Sequence, residues 1–151
     1  MLVRVTPDPL RPDEAISAVE NPAAGAINVF LGVVRNNNLG RSVHYLDYEA
    51  YPSMAEKVMR EIAEEAKNRF GFEDVAVLHR TGRLEIGETS LLIAVSCGHR
   101  AKSFEGGKWL VDEVKKRVPV WKKEVWSDGE SWIEGPESLG IHQAGAAARQ
   151  T

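Results

Sequence analysis

Residues 115–123, Lys-Lys-Arg-Val-Pro-Val-Trp-Lys-Lys, place five cations around an apolar centre of Val118, Pro119, Val120 and Trp121. A proline between two groups of cations breaks the chain direction and brings positive charge to one place from two sides. Such a hinge suits a multiply charged anion. A helical reading of the residues before it puts Phe104, Gly107, Val111, Val114 and Val118 on one apolar stripe. Lys115 falls at the edge of that stripe and Lys116 points away, so Lys115 is expected against the core and Lys116 in solvent. A border lysine either snorkels or has a partner or a job. Alternation beyond Pro119 sets Lys122 opposite to Trp121 and Lys123, and lets Lys122 return toward Lys115. The plainer role for Lys122 and Lys123 is a charged pair guarding an edge strand.

Three other groups carry chemistry. His99-Arg100 ends an apolar strand just before a helix, where free backbone N–H groups favour anions. This histidine could hold a phosphate or move a proton, or only hydrogen-bond the helix entry. Arg35 leaves an apolar strand into Asn36-Asn37-Asn38, which suits a charged, hydrogen-bonding ligand or, more simply, a turn built on asparagine side chains. His79-Arg80 lies within a strand with no helix following, so a structural role is expected. Cys97 stands alone, which excludes an internal disulfide and a cysteine zinc site and makes it a core residue. No Gly-rich phosphate loop, His-Glu-x-x-His pair or Gly-x-Ser-x-Gly elbow is present. Arginine, histidine and lysines without a nucleophile or metal ligands make sense when the reactive atom arrives on a partner or a cofactor.

The elements that must position these residues follow from pattern. At 151 residues the chain is one domain with room for a core. No apolar run approaches a membrane span, and the first residues lack the regions of a signal peptide, so a cytoplasmic protein is expected. Net charge is −3, yet residues 99–123 hold eight Lys and Arg against three acids, while residues 49–65 carry five Glu against two cations. Positive charge concentrated in one segment of an acidic chain favours a local anion site over a nucleic-acid surface.

Leu2–Thr6 alternates as a strand, and Pro12 opens a short helix ending near Asn21-Pro22. The nearly all-apolar Gly25–Val34 predicts a strand buried on both faces. Val43–Ala50 is the next strand, and Pro52 starts a long helix with Ala55, Val58, Met59, Ile62 and Ala66 inward. Asp74–Gly82 and Ser90–Gly98 read as strands joined by a loop over 83–88. A second main helix runs from about Lys102 to Arg117 and stops before Pro119. Val120–Trp126 and Ser131–Glu134 form a hairpin turning at Ser127-Asp128-Gly129. The fold class is α+β: a single domain with a mixed or antiparallel sheet, two main helices packed on it and a C-terminal hairpin. The domain spans residues 1–135, and 136–151 reads as a mobile or partner-dependent tail.

Several segments are distinctive together. They are Phe30-Leu31-Gly32-Val33-Val34-Arg35-Asn36-Asn37-Asn38, Leu46-Asp47-Tyr48-Glu49-Ala50-Tyr51 with Met54-Ala55, and His79-Arg80-Thr81-Gly82-Arg83-Leu84 with Gly87-Glu88. His99-Arg100 with Phe104-Glu105, and Lys115 through Glu124 with Gly129 and Trp132, complete the series. In order and without large gaps from Leu2 to Glu134, they resemble the MoaE family, the large catalytic subunits of molybdopterin synthase.

That resemblance implies an α/β hammerhead-like fold and a sulfurtransferase of molybdenum cofactor biosynthesis. It installs the dithiolene of molybdopterin on cyclic pyranopterin monophosphate. The sulfur comes from a thiocarboxylate on the C-terminal Gly-Gly of a small ubiquitin-like sulfur-carrier subunit. A homodimer of large subunits within a heterotetramer is implied, with no cofactor, metal, nucleic acid or membrane. Carried over by position, Lys115 and Lys122 are the catalytic lysines, Lys115 at the thiocarboxylate and Lys122 on the pterin side. Arg35, His99 and Arg100 line the substrate pocket, Val33 and Val34 add neighbouring backbone, and Lys123 and Glu124 continue the binding strand. A family arginine contributed across the dimer finds Pro136 here. The alternative class is a non-catalytic module that grips a ubiquitin-like tail or nucleic acid through the basic segment.

Overall fold

A computed structural model describes residues 1–126 and the backbone of 129–134, with side chains to Glu130. The chain runs β1 (Leu2–Thr6), α1 (Pro12–Val19), β2 (Ala26–Val33), β3 (Asn37–Asn38), β4 (Arg41–Ala50), α2 (Pro52–Phe70) and β5 (Asp74–Arg80). It continues through β6 (Gly82–Glu85), β7 (Thr89–Cys97), α3 (Arg100–Arg117), β8 (Val120–Trp126) and β9 (Gly129–Glu134). The expected α+β architecture is present, with three helices among the described residues. The expected turn at residues 127–128, the tail from 136 and the position of Pro136 lie outside the described residues.

Four strands form one sheet in the order β1-β5-β7-β2, parallel between β1 and β5 and antiparallel elsewhere. The second sheet is antiparallel, β3-β4-β8-β9, with β6 also paired to β4. The central strands β5 and β7 are buried on both faces, and their alternation feeds two cores. Val75, Val77, Ile93 and Val95 face α2 and α3, meeting Met59, Ile62, Leu110 and Val114. Ala76, Leu78, Leu92 and Ala94 face α1 at Ala15 and Val19. A third, small cluster of Val34, Val43, Leu46, Leu84 and Trp126 fills the second sheet's side.

Local chemistry sets the helix ends. Pro52 occupies the first turn of α2, where a missing N–H costs nothing. Gly71 closes that helix at φ 69°, its N–H returning to the Lys67 carbonyl at 3.0 Å. Helix α3 ends at Arg117 because Val118, preceding Pro119, is forced into extended backbone at ψ 129°.

Three expectations are corrected. Strand β2 is an edge strand, and its apolar Ile27, Leu31 and Val33 are exposed rather than buried on both faces. The supposed loop after Gly82 is strand β6, drawn into the second sheet by pairing Tyr45–Tyr48 with Gly82–Glu85. Finally, the buried stripe of α3 is Ser103, Gly106, Leu110 and Val114, while Phe104 is 68% exposed. Gly106 explains the rotation. A Cβ there would meet Phe72 Cζ at 2.3 Å and Phe70 Cγ at 2.7 Å, so the bare glycine face is what lets the helix seat on those rings.

Candidate functional site

A cavity of about 390 Å³ opens where the two sheets and the C-terminal end of α3 meet. Strand β8 supplies its floor. The pleat turns Val120, Lys122 and Glu124 inward and sends Lys123 to the other face, where it lies 3.7 Å from Glu130. Register with β4 sets Lys122 against Tyr48 and Glu124 against Leu46, two further lining residues. Val114, Lys115 and Val118 descend from α3, and Val33 and Arg35 arrive from the end of β2.

Lys115 is exposed at this rim, not held against the core as its place on the wheel suggested. The rotation of the buried stripe toward Gly106 and Leu110 accounts for the difference. Among the described residues neither Lys115 nor Arg35 is paired with a carboxylate, so both keep their charge for whatever enters. Their neighbours behave differently: Lys116 lies 3.7 Å from Glu113, and Arg117 reaches Glu65 at 2.6 Å and Glu113 at 3.5 Å.

Among the described residues one acid, Glu124, faces the cations. Glu124 is only 3% exposed, accepting from Asn38 Nδ2 at 2.9 Å and from Trp126 Nε1 at 2.6 Å. It ties the asparagine-rich segment to β8 and adds negative charge beside Lys122. Val33 lines the cavity, whereas Val34 is buried behind it, its N–H on the Glu88 carbonyl and its own carbonyl taking the Gly87 N–H.

His79, read from sequence as structural, is in the cavity wall. Its Nδ1 lies 2.9 Å from the Arg80 carbonyl oxygen and its ring meets Tyr48 edge-on. Burial lowers its pKa to about 4; the bond to the Arg80 carbonyl opposes this and the Lys115 ammonium adds to it. The signal that could have found it is long-range: β5 must end where α3 ends, which no local pattern records.

His99 and Arg100 are not in this cavity. Both are exposed at the N-terminal end of α3. Arg100 is separated from Lys115 by about 22 Å of helix at roughly 1.5 Å per residue. No cluster of three or more His, Cys, Asp or Glu among the described residues could hold a metal ion, and no described helix is long and apolar enough to cross a membrane.

Chemically, the cavity can gather two anions, support charge that develops between them and pass protons through lysine. The family model described as MoaE protein matches residues 5–117. The molybdopterin synthase catalytic subunit of Pyrococcus abyssi is 52% identical over 135 residues, covering 89% of this chain and 91% of that protein. That of Escherichia coli is 43% identical over 119 residues, covering 79% of each. The solved molybdopterin synthase of Staphylococcus aureus superposes with a TM-score of 0.83 at 35% identity, covering 86% of this chain and 95% of the other.

Proposed function

The chain belongs to the MoaE protein family, and on that premise we propose that it is the catalytic, sulfur-transferring subunit of a molybdopterin synthase. It builds the dithiolene on cyclic pyranopterin monophosphate with sulfur delivered as the C-terminal thiocarboxylate of a small ubiquitin-like subunit. The observation that carries this reading is the convergence of Lys115, Lys122 and Arg35 on one cavity, with Lys115 and Arg35 unpaired among the described residues.

The chemistry explains the arrangement. An anionic thiocarboxylate must approach an anionic phosphate ester, and fixed cations in a partly dry cavity offset that repulsion. Lys115, at the exposed rim, meets the incoming tail. Lys122, deeper on β8, faces the pterin, and Arg35 takes the phosphate. Glu124 fixes the wall beside Lys122, Val33 and Val34 shape its edge, and Lys123 supports β8 from the far face. The nucleophile is the partner's sulfur, so the chain itself needs none.

His99 and Arg100 enter this scheme through a second copy. The edge strand β2 presents an apolar row of Ile27, Leu31 and Val33 that a symmetric partner would cover. Such a dimer brings the α3 N-terminus of one chain toward the cavity of the other. We assign residues 1–135 to the catalytic domain and the protein to the cytoplasm. The nucleic-acid reading loses ground because Lys108, Lys116 and Arg117 are paired with Asp112, Glu113 and Glu65, which breaks up any basic stripe.

The test mixes the chain with thiocarboxylated small subunit and precursor and assays dithiolene formation. Lys115→Ala is expected to abolish product while leaving the fold and the small-subunit complex intact. Wild-type turnover by that variant would remove Lys115 from the mechanism.

A further inference from the structure

His79 is unused by the scheme above, yet it is a buried polar group held in the cavity wall. It is 8% exposed, within the wall formed by the end of β5. Its Nδ1 faces a carbonyl oxygen at 2.9 Å, and a carbonyl can only accept, so Nδ1 carries the hydrogen. In a neutral ring the lone pair is then on Nε2. The edge contact with Tyr48, 5.1 Å between centroids at 65°, fixes the ring plane. Among the described residues Nε2 has no protein partner, while no fully buried side-chain polar atom lacks one. Nε2 therefore opens onto the cavity.

The other charged groups facing this space are mostly donors. Lys115 comes from α3, Lys122 from β8 and Arg35 from the segment after β2, while both Glu124 oxygens already accept hydrogen bonds. Donors satisfy a phosphate and a thiocarboxylate. They leave the ring N–H groups of a pterin unmatched, and an unmatched donor out of water is costly.

We propose that His79 is a substrate-binding residue of this cavity, its Nε2 accepting a hydrogen bond from an N–H group of the pterin ring. The proposal rests on the sulfur-transfer reading and deepens it by naming the acceptor that recognises the ring rather than its phosphate. Burial and the Lys115 charge keep the imidazole neutral well below pH 7, so it serves as an acceptor in the working range.

Two substitutions separate the ring's two edges. His79→Asn keeps a donor where Nδ1 stood and loses the Nε2 acceptor; His79→Gln can present an amide oxygen near the Nε2 position. With thiocarboxylated small subunit, His79→Asn is expected to raise KM for the precursor about 10-fold, the loss of roughly one hydrogen bond, with kcat little changed. His79→Gln is expected to recover most of that loss. In the wild-type chain without small subunit, saturating precursor should move the Nε2 resonance of His79 in nitrogen-15 NMR. An unmoved resonance, or an unchanged KM in folded His79→Asn, overturns the proposal. Failure of the wild-type chain to consume precursor in the same assay sinks the sulfur-transfer reading, and the proposal with it.

Discussion

Tyr48 stands edge-on to His79, ring centroids 5.1 Å apart and planes at 65°. The pair joins the second sheet, through β4, to the first, through β5, at the wall of the lysine-lined cavity. Edge-to-face rings hold each other's orientation better than aliphatic packing does. The seam between the sheets thus fixes His79, the one buried histidine among the described residues, within reach of the Lys115 charge.

That histidine should write a pH dependence into stability. The folded chain keeps His79 neutral down to about pH 4, whereas the unfolded chain protonates it near its ordinary value of 6.5. Between those values the unfolded state binds more protons, so stability falls as pH drops from 6.5 to 4 and His79 contributes no further loss below. The total is about 3 kcal/mol. Asp74 is pushed up by burial, but the N-terminal ammonium, the Val75 N–H and Lys67 together more than offset this, and Glu88 is lowered by the Glu85 N–H and by Arg80; both act only below the ordinary carboxylate range. Urea denaturation at pH 7 and pH 4.5 should show the slope in the wild type and a flatter one in His79→Gln. Equal slopes would remove His79 as the cause.

Glu124→Ala should destabilise the protein more than its single position suggests. The change strands the Trp126 indole N–H, 9% exposed as a residue, and releases the Asn38 amide. Leaving such donors unpaired costs about 3 kcal/mol, or a fall of roughly 10 °C in Tm for a domain of this size. Calorimetry decides it, and a Tm within a degree or two of wild type would show that water replaces the carboxylate at no cost.

Adjacent glycines in α3 should respond with opposite signs. Gly106→Ala drives a methyl into the Phe70 and Phe72 rings and should cost about 1–3 kcal/mol by overpacking. Gly107→Ala meets nothing within 4 Å and should gain up to about 1 kcal/mol of helix propensity. Thermal melts of both variants test the seating of α3 on those rings, and a stabilised Gly106→Ala would contradict it.

These residues also show what the sequence could convey. The stop before Pro119 and the separation of Lys122 from Lys123 follow from local backbone rules, and both are present. Hydrophobicity points to the wrong face of α3 because it gives weight to Phe104 and none to Gly106, although the missing side chain marks the closest approach. Strand β2 looked doubly buried because apolar composition does not say whether the cover comes from the same chain. Strand β6 has one apolar residue in four, Leu84, and exists through pairing with β4. The role of His79 depends on where β5 ends relative to α3, a fact of topology rather than of spacing.

The same topology sets the last prediction. One chain cannot bring Arg100 to Lys115, because about 22 Å of helix separates them. If both serve one site, they come from different copies of the dimer. Lys115→Ala and Arg100→Ala should then each be inactive alone, yet regain activity when unfolded together and refolded. Each mixed dimer has one site with both residues intact and one with neither. Random association makes half of the dimers mixed, so activity should return to about a quarter of wild type. Recovery near zero, with mixed dimers confirmed by mass spectrometry, would confine each site to one chain and remove Arg100 from it.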